Sequence, residues 1–265
     1  MSFFFNAPVP ESMAEEPAKT GFARLGELVR RDFWRLFTAG LLALAGVLPF
    51  AIGVGLSVSI HDLPAALIFG AVGGMIAGPE LCGMADTVLR GLRDKTSLWW
   101  DTYRWAWKRN AKSALLPGAV GGLFFSAELF LFFHTETLAL GAGTQIVMLM
   151  GVLLALGFSI YVWPQIALME LPFGTLVKNA ALLFLGQLPR SIAALAVQAA
   201  YWVLMLEHLD TALPLLLVTN FWVPFLLALF LIYPGIEKGF RIEERMDALQ
   251  KERRTVSAAA QDTEI

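Results

Sequence analysis

Apolar residues dominate six long stretches of this chain, roughly 36–58, 65–87, 114–133, 146–168, 189–206 and 213–233, and polar residues collect between them. A helix needs about 20 residues, at about 1.5 Å each, to cross a bilayer core, and most of the stretches meet that length. The fifth does so only when Pro189 and Arg190 are counted, with the arginine snorkelling to headgroup level. The pattern predicts an all-α fold: a polytopic bundle of six transmembrane helices spanning residues 33–234. Residues 1–32 and 235–265 form an N-terminal and a C-terminal tail.

Charge gives the bundle a direction. All 20 Lys and Arg residues fall in the N-terminal tail, the second and fourth connections or the C-terminal tail, with Arg35 and Arg190 at the adjoining span ends. The connections around His61, around His134 to Thr144 and around Glu207 to Thr211 have none. Basic residues near span ends are retained on the cytoplasmic side, so both termini are expected there. In the C-terminal tail, Glu237 precedes Arg241 by four residues and Asp247 precedes Lys251 by four, the order that favours a solvated helix continuing the last span.

Composition agrees with this picture, with 57% hydrophobic residues and only 16% charged, which a water-soluble domain of this length does not tolerate. The single cysteine, Cys82, falls inside the second stretch and allows no intramolecular disulfide. There is no phosphate-cradling Gly-Lys-Ser loop, no His-Glu-x-x-His and no Gly-x-Ser-x-Gly, so any enzyme chemistry would have to sit within the membrane.

Gly70, Gly74 and Gly78, four apart, make a ridge of small residues on the second span, widened by Gly73. Gly118, Gly121 and Gly122 offer a similar groove on the third, and tight packing within one subunit is expected. Pro49, Pro79, Pro164 and Pro224 predict kinks or breaks. The second connection carries a stripe of Trp100, Tyr103 and Trp107 beside Arg104, Lys108 and Lys112, which reads as an amphipathic helix over 97–112 lying in the interface against anionic lipid. Asn110 falls on its aromatic side and is expected to hydrogen-bond to another helix. Residues 175–186 suggest a second interfacial helix of the same kind.

These motifs resemble those of the YesL-like family of bacterial membrane proteins. The matching stretches are Phe33-Trp34-Arg35-Leu36, Leu48-Pro49-Phe50-Ala51-Ile52-Gly53, Gly78-Pro79 followed by Val88-Leu89-Arg90 and Arg93-Asp94, then Trp100-Asp101 with Tyr103, and Asn110. Lys178-Asn179-Ala180 and Leu188-Pro189-Arg190 extend the likeness. Glu80 departs from it, standing where the family is usually small and apolar. The resemblance implies a bacterial cell membrane and an association with carbohydrate uptake. It implies no reaction.

The polar residues inside the spans are the candidate binding groups. Glu80 lies sixteen residues beyond Pro64, about 24 Å along a helix, with Gln165 at a similar level. Glu128 lies in the outer third, and Gln198 and Asn220 nearer the middle, with Tyr201 one turn from Gln198. An ionisable group at such depth must face other helices or water. Asp86 sits near the inner boundary, where Arg90 can pair with it. His61, His134 and His208 share the outer side, but no ligand spacing supports a metal site.

The expected function is that of a non-enzymatic membrane component accessory to carbohydrate uptake. The alternatives are a small-solute transporter in its own right and, third, an intramembrane enzyme. The expected partners are the lipid bilayer and other membrane proteins such as a sugar-uptake system, with no cofactor and no nucleic acid.

Overall fold

A computed structural model describes residues 21–95 and 98–240. Among them there are eight helices and no strand: α1 (Gly21–Ser59), α2 (Leu63–Leu92), α3 (Trp99–Phe133), α4 (Ala142–Leu168), α5 (Phe173–Gly186), α6 (Leu188–Glu207), α7 (Leu209–Thr219) and α8 (Trp222–Phe240). Six of these, all but α5 and α7, are long and apolar enough to cross a membrane. The N-terminal tail before Gly21 and the ion-paired helix expected beyond Phe240 lie outside the described residues.

The connections sort by end. At one end the start of α1 meets the end of α2, where Arg24 donates to the Leu92 carbonyl (2.7 Å) and Arg31 to the Gly91 carbonyl (2.9 Å). Cations placed at a helix C-terminus satisfy its orphan carbonyls and oppose its dipole. Arg109 of α3 treats the end of α4 in the same way, donating to the Ala167 carbonyl at 2.6 Å. At the opposite end the rings of His61 and His134 meet edge to face, 4.7 Å apart. The connections bearing the Arg24, Arg31 and Arg109 contacts therefore lie at one end of the bundle and the turns bearing His61 and His134 at the other.

Glycine decides the packing of α1, α2 and α3. A Cβ on Gly74 would run into the backbone carbonyl of Gly118, one on Gly70 into Ser126 and one on Gly78 to within 2.6 Å of the Ala114 carbonyl. The ridge thus seats α2 directly on α3, with backbone against backbone, as expected for tight packing within the subunit. Gly73 does not widen that ridge; it faces α1, where its Cβ would lie 2.5 Å from the Phe50 Cα. Gly121 has open space around it. Elsewhere the core is built from side chains: Leu36, Tyr161, Leu226, Leu229 and Ile232 are fully buried.

Two expectations are corrected here. Residues 97–112 do not make a helix of their own: Trp99 to Lys112 is the first part of α3, which continues without a break to Phe133. The run Ala111-Lys112-Ser113-Ala114-Leu115-Leu116 contains no breaker, and Pro117 is carried inside the helix. Conversely, the sixth apolar stretch is not one helix. It breaks between Thr219 and Trp222, where Asn220 takes φ 26° and ψ −133°. Pro224 falls in the first turn of α8, where proline needs no partner for its missing N–H. The segment expected at 175–186 is a separate short helix, α5, with Leu176, Ala180 and Phe184 buried along one face.

Candidate functional site

Glu80 occupies the middle of the α1–α2–α3 layer. It leans on α1 at Gly46, whose Cβ would stand 2.6 Å from the Glu80 Cγ, so only glycine leaves room for it. Both of its carboxyl oxygens accept hydrogen bonds from α3: Tyr103 Oη donates to Oε2 at 2.6 Å and Trp107 Nε1 to Oε1 at 2.9 Å. The four-residue spacing of Tyr103 and Trp107 puts both donors on one face, one turn apart. Tyr103 is buried against Gly83. The expected aromatic stripe therefore splits: Tyr103 and Trp107 turn inward to the carboxyl, while Trp100 is half exposed with Arg104 over its ring at 5.9 Å. Arg104, Lys108 and Lys112 are exposed.

Below Glu80, towards the basic end, an ionic cluster ties α1 to α2. Arg31 bridges Asp32 (2.7 Å) and Asp94 (2.6 Å), Arg35 reaches Asp32 at 3.2 Å, and Arg90 pairs with Asp86 at 2.6 Å as its four-residue spacing predicts. Asp32 and Asp86 are buried. Asp32, Arg35, Thr87, Arg90, Lys95 and Trp99 line a cleft of only about 20 Å³, room for one water-sized occupant.

The other predicted residues are dispersed. Gln165 is fully buried on α4; its Nε2 donates to the Tyr161 carbonyl (3.0 Å), and its Oε1 has no partner among the described residues. Asn110 is buried too, but it does not bond to another helix. Its Oδ1 accepts from Arg109 next to it (3.1 Å), and its Nδ2 has no partner among the described residues. Gln198 is buried on α6.

Asn220 makes the helix break self-sufficient. Its Oδ1 caps the Trp222 N–H (3.2 Å), its Nδ2 donates to the Leu217 carbonyl (3.3 Å), and its own carbonyl accepts from Tyr201 Oη (2.9 Å). Trp222 Nε1 takes the Val218 carbonyl at 2.8 Å. Irregular backbone at membrane depth needs such internal partners. The break also fits against Gly40 of α1, where any Cβ would collide with the Asn220 side chain.

Glu128 stands apart. It packs against Gly151 of α4, whose Cβ would be 2.7 Å from Oε1, and it lines a cavity of about 570 Å³ between α3 and α4. Its Oε2 is buried with no hydrogen-bond partner among the described residues. Among those residues no three His, Cys, Asp or Glu side chains converge as a metal site would require.

Sequence reasoning missed three partners: Gly46 and Gly151, each opposite a glutamate on a neighbouring helix, and Trp222 at the break. Tyr103 and Trp107 carried a usable signal, because a phenol and an indole N–H four residues apart at the level of a buried carboxylate form a ready pair of donors. No family model, curated protein or solved structure matches this chain.

Proposed function

We propose that the chain is a multi-pass membrane protein, its basic end and both termini in the cytoplasm, that acts without catalysis as an accessory component through helix and lipid contacts. The observation that carries this reading is the engagement of Glu80: each carboxyl oxygen accepts a hydrogen bond from α3, Oε2 from Tyr103 and Oε1 from Trp107, so the protein itself supplies donors that a solute would otherwise have to bring. The break at Asn220 supports it as well, since its carbonyl and side chain are engaged by Tyr201, Trp222 and Leu217. Exposed apolar residues such as Ile52, Ile68 and Ile146 supply the lipid-facing surface. The resemblance to the YesL-like family extends the reading to a part in carbohydrate uptake in a bacterial cell membrane.

A carrier is the second reading, and the broken α7–α8 pair favours it, because discontinuous helices form solute sites in many transporters. Against it, the cleft at the basic end and the cavity at Glu128 share no lining residue.

Two measurements test the proposal. Cysteines introduced at Thr137 and Thr211 are expected to react in intact cells with an impermeant thiol reagent, and one at Lys108 is not; the reverse pattern overturns the orientation. Liposomes containing the purified chain alone are expected to accumulate none of a panel of sugars. Accumulation that depends on this chain alone would replace the accessory reading with a carrier.

A further inference from the structure

We propose that the α3–α4 groove is a binding site for a lipophilic ammonium compound, whose N–H donors engage Glu128 and whose hydrocarbon body fills the groove. This goes beyond the accessory reading and does not depend on it.

The size is that of a ligand site. The groove, open along one side, offers about 570 Å³, within the range in which small-molecule pockets fall. Its walls include Phe124, Met150, Leu154 and Phe158, and Glu128 is the one acid or base among its lining residues. Gly151 gives the carboxyl its place, since a side chain there would strike Oε1.

The free acceptors of Glu128 give the chemistry: Oε2 is buried without a donor, and Oε1, which receives no hydrogen bond among the described residues, is the oxygen beside Gly151 at the groove wall. A buried acceptor without a donor is costly in an apolar setting, so the group that completes this site must bring an N–H or O–H together with apolar surface. A carboxylate favours a cation, and the neighbouring aromatic rings and methionine sulfur add to that preference. An anionic lipid phosphodiester has no N–H or O–H to donate to the carboxylate.

The cation must come from outside the chain. Glu128 is six residues, about 9 Å, from His134 at the end of α3, and the connections at that end contain no Lys or Arg. A second copy in the same orientation brings none to this depth either, which argues against self-association as the way the carboxyl is satisfied. Access is lateral: Val147 and Met150 on the groove's rim are 69% and 58% exposed, so a molecule dissolved in the bilayer reaches the groove from the side.

Three twelve-carbon probes separate the contributions, with the full chain in nanodiscs of zwitterionic lipid and empty nanodiscs as background. Dodecylamine, protonated at neutral pH, offers charge and N–H donors; dodecyltrimethylammonium offers charge alone; dodecanol offers a donor alone. Equilibrium dialysis of labelled probe is expected to show one saturable site, with dodecylamine tighter than either control by about tenfold, the scale of a hydrogen bond to a charged group. Glu128→Gln is expected to weaken dodecylamine binding by about tenfold for the same reason. Ala155→Phe, which fills the groove from the α4 wall and leaves Gly151 and Glu128 in place, removes saturable binding, and Glu80→Gln leaves it unchanged. No saturable excess over empty nanodiscs overturns the proposal. So does equal dodecylamine binding by the wild type and the Ala155→Phe variant, or a concentration-dependent dimer, trapped by cross-linking through cysteine at Val147, that dodecylamine does not disperse.

Discussion

Glu80 and Glu128 are each seated against a glycine of a neighbouring helix, Gly46 and Gly151. They differ in what surrounds the carboxyl oxygens. Around Glu80 the α1–α2–α3 layer is closed by backbone contact, and α3 delivers an O–H and an N–H to the two oxygens. Around Glu128 the contact between α3 and α4 opens into a groove, and one oxygen has no donor. Depth in a membrane therefore does not assign a role to a carboxyl group. Whether the protein itself supplies the donors does, and a small residue opposite the carboxylate only makes room for it.

The comparison breaks most visibly if the glycine layer is not what closes the Glu80 side. Gly74→Leu drives a side chain into the backbone of α3 at Gly118 and is expected to destabilise the bundle by about 3 kcal/mol, at the upper end of overpacking costs. Gly121→Leu, one helix away and with open space around it, is the control and is expected to be nearly neutral. Thermal unfolding in mild detergent reads both, and equal midpoints for the two would show that α2 and α3 are not in backbone contact.

A smaller effect is expected at the helix break. Asn220→Ala removes the cap on Trp222 and places a Cβ-bearing residue at positive φ without a compensating side-chain hydrogen bond, a loss of about 2 kcal/mol. Asn220→Gly tolerates the backbone and loses only the side-chain contacts, so it is expected to fall between alanine and the wild type. Hydrogen exchange at Trp222 and Phe225 locates the change, and protection equal to the wild type in both variants would show that the cap contributes nothing.

Smaller still, Tyr103→Phe removes one donor from Glu80 and is expected to cost about 1 kcal/mol, in the range of interhelical hydrogen bonds in membranes. A double-mutant cycle with Glu80→Leu, which keeps no acceptor for the hydroxyl, isolates the coupling, and a coupling of zero would mean that the two groups do not interact in the membrane.

Much of this architecture was legible before any coordinates. Six apolar helices and the confinement of Lys and Arg to alternate connections follow from solvation alone, and Gly70, Gly74 and Gly78 announced a close helix neighbour. What escaped was local and depended on partners. The break at Asn220 was hidden because residues 213–233 read as one apolar run; a single Asn there is silent until Tyr201, Trp222 and Gly40 are seen to surround it. The stripe of Trp100, Tyr103 and Trp107 looked lipid-facing because the helical wheel shows which residues share a face and not what that face meets. Glu128 was singled out by depth, yet the groove beside it is a property of two helices and is written in neither one.

The central claim is that Glu80 is completed by the protein and Glu128 is not, and paired unfolding measurements on Glu80→Gln and Glu128→Gln in the same detergent test it directly. At position 80 the amide oxygen can keep the Trp107 N–H only by turning its N–H₂ to the Tyr103 oxygen, which reverses that bond, and a loss of about 1 kcal/mol is predicted. At position 128 no donor faces Oε2, and the change is predicted to stay within about 0.5 kcal/mol. Equal losses, or a larger loss at Glu128, would contradict the account.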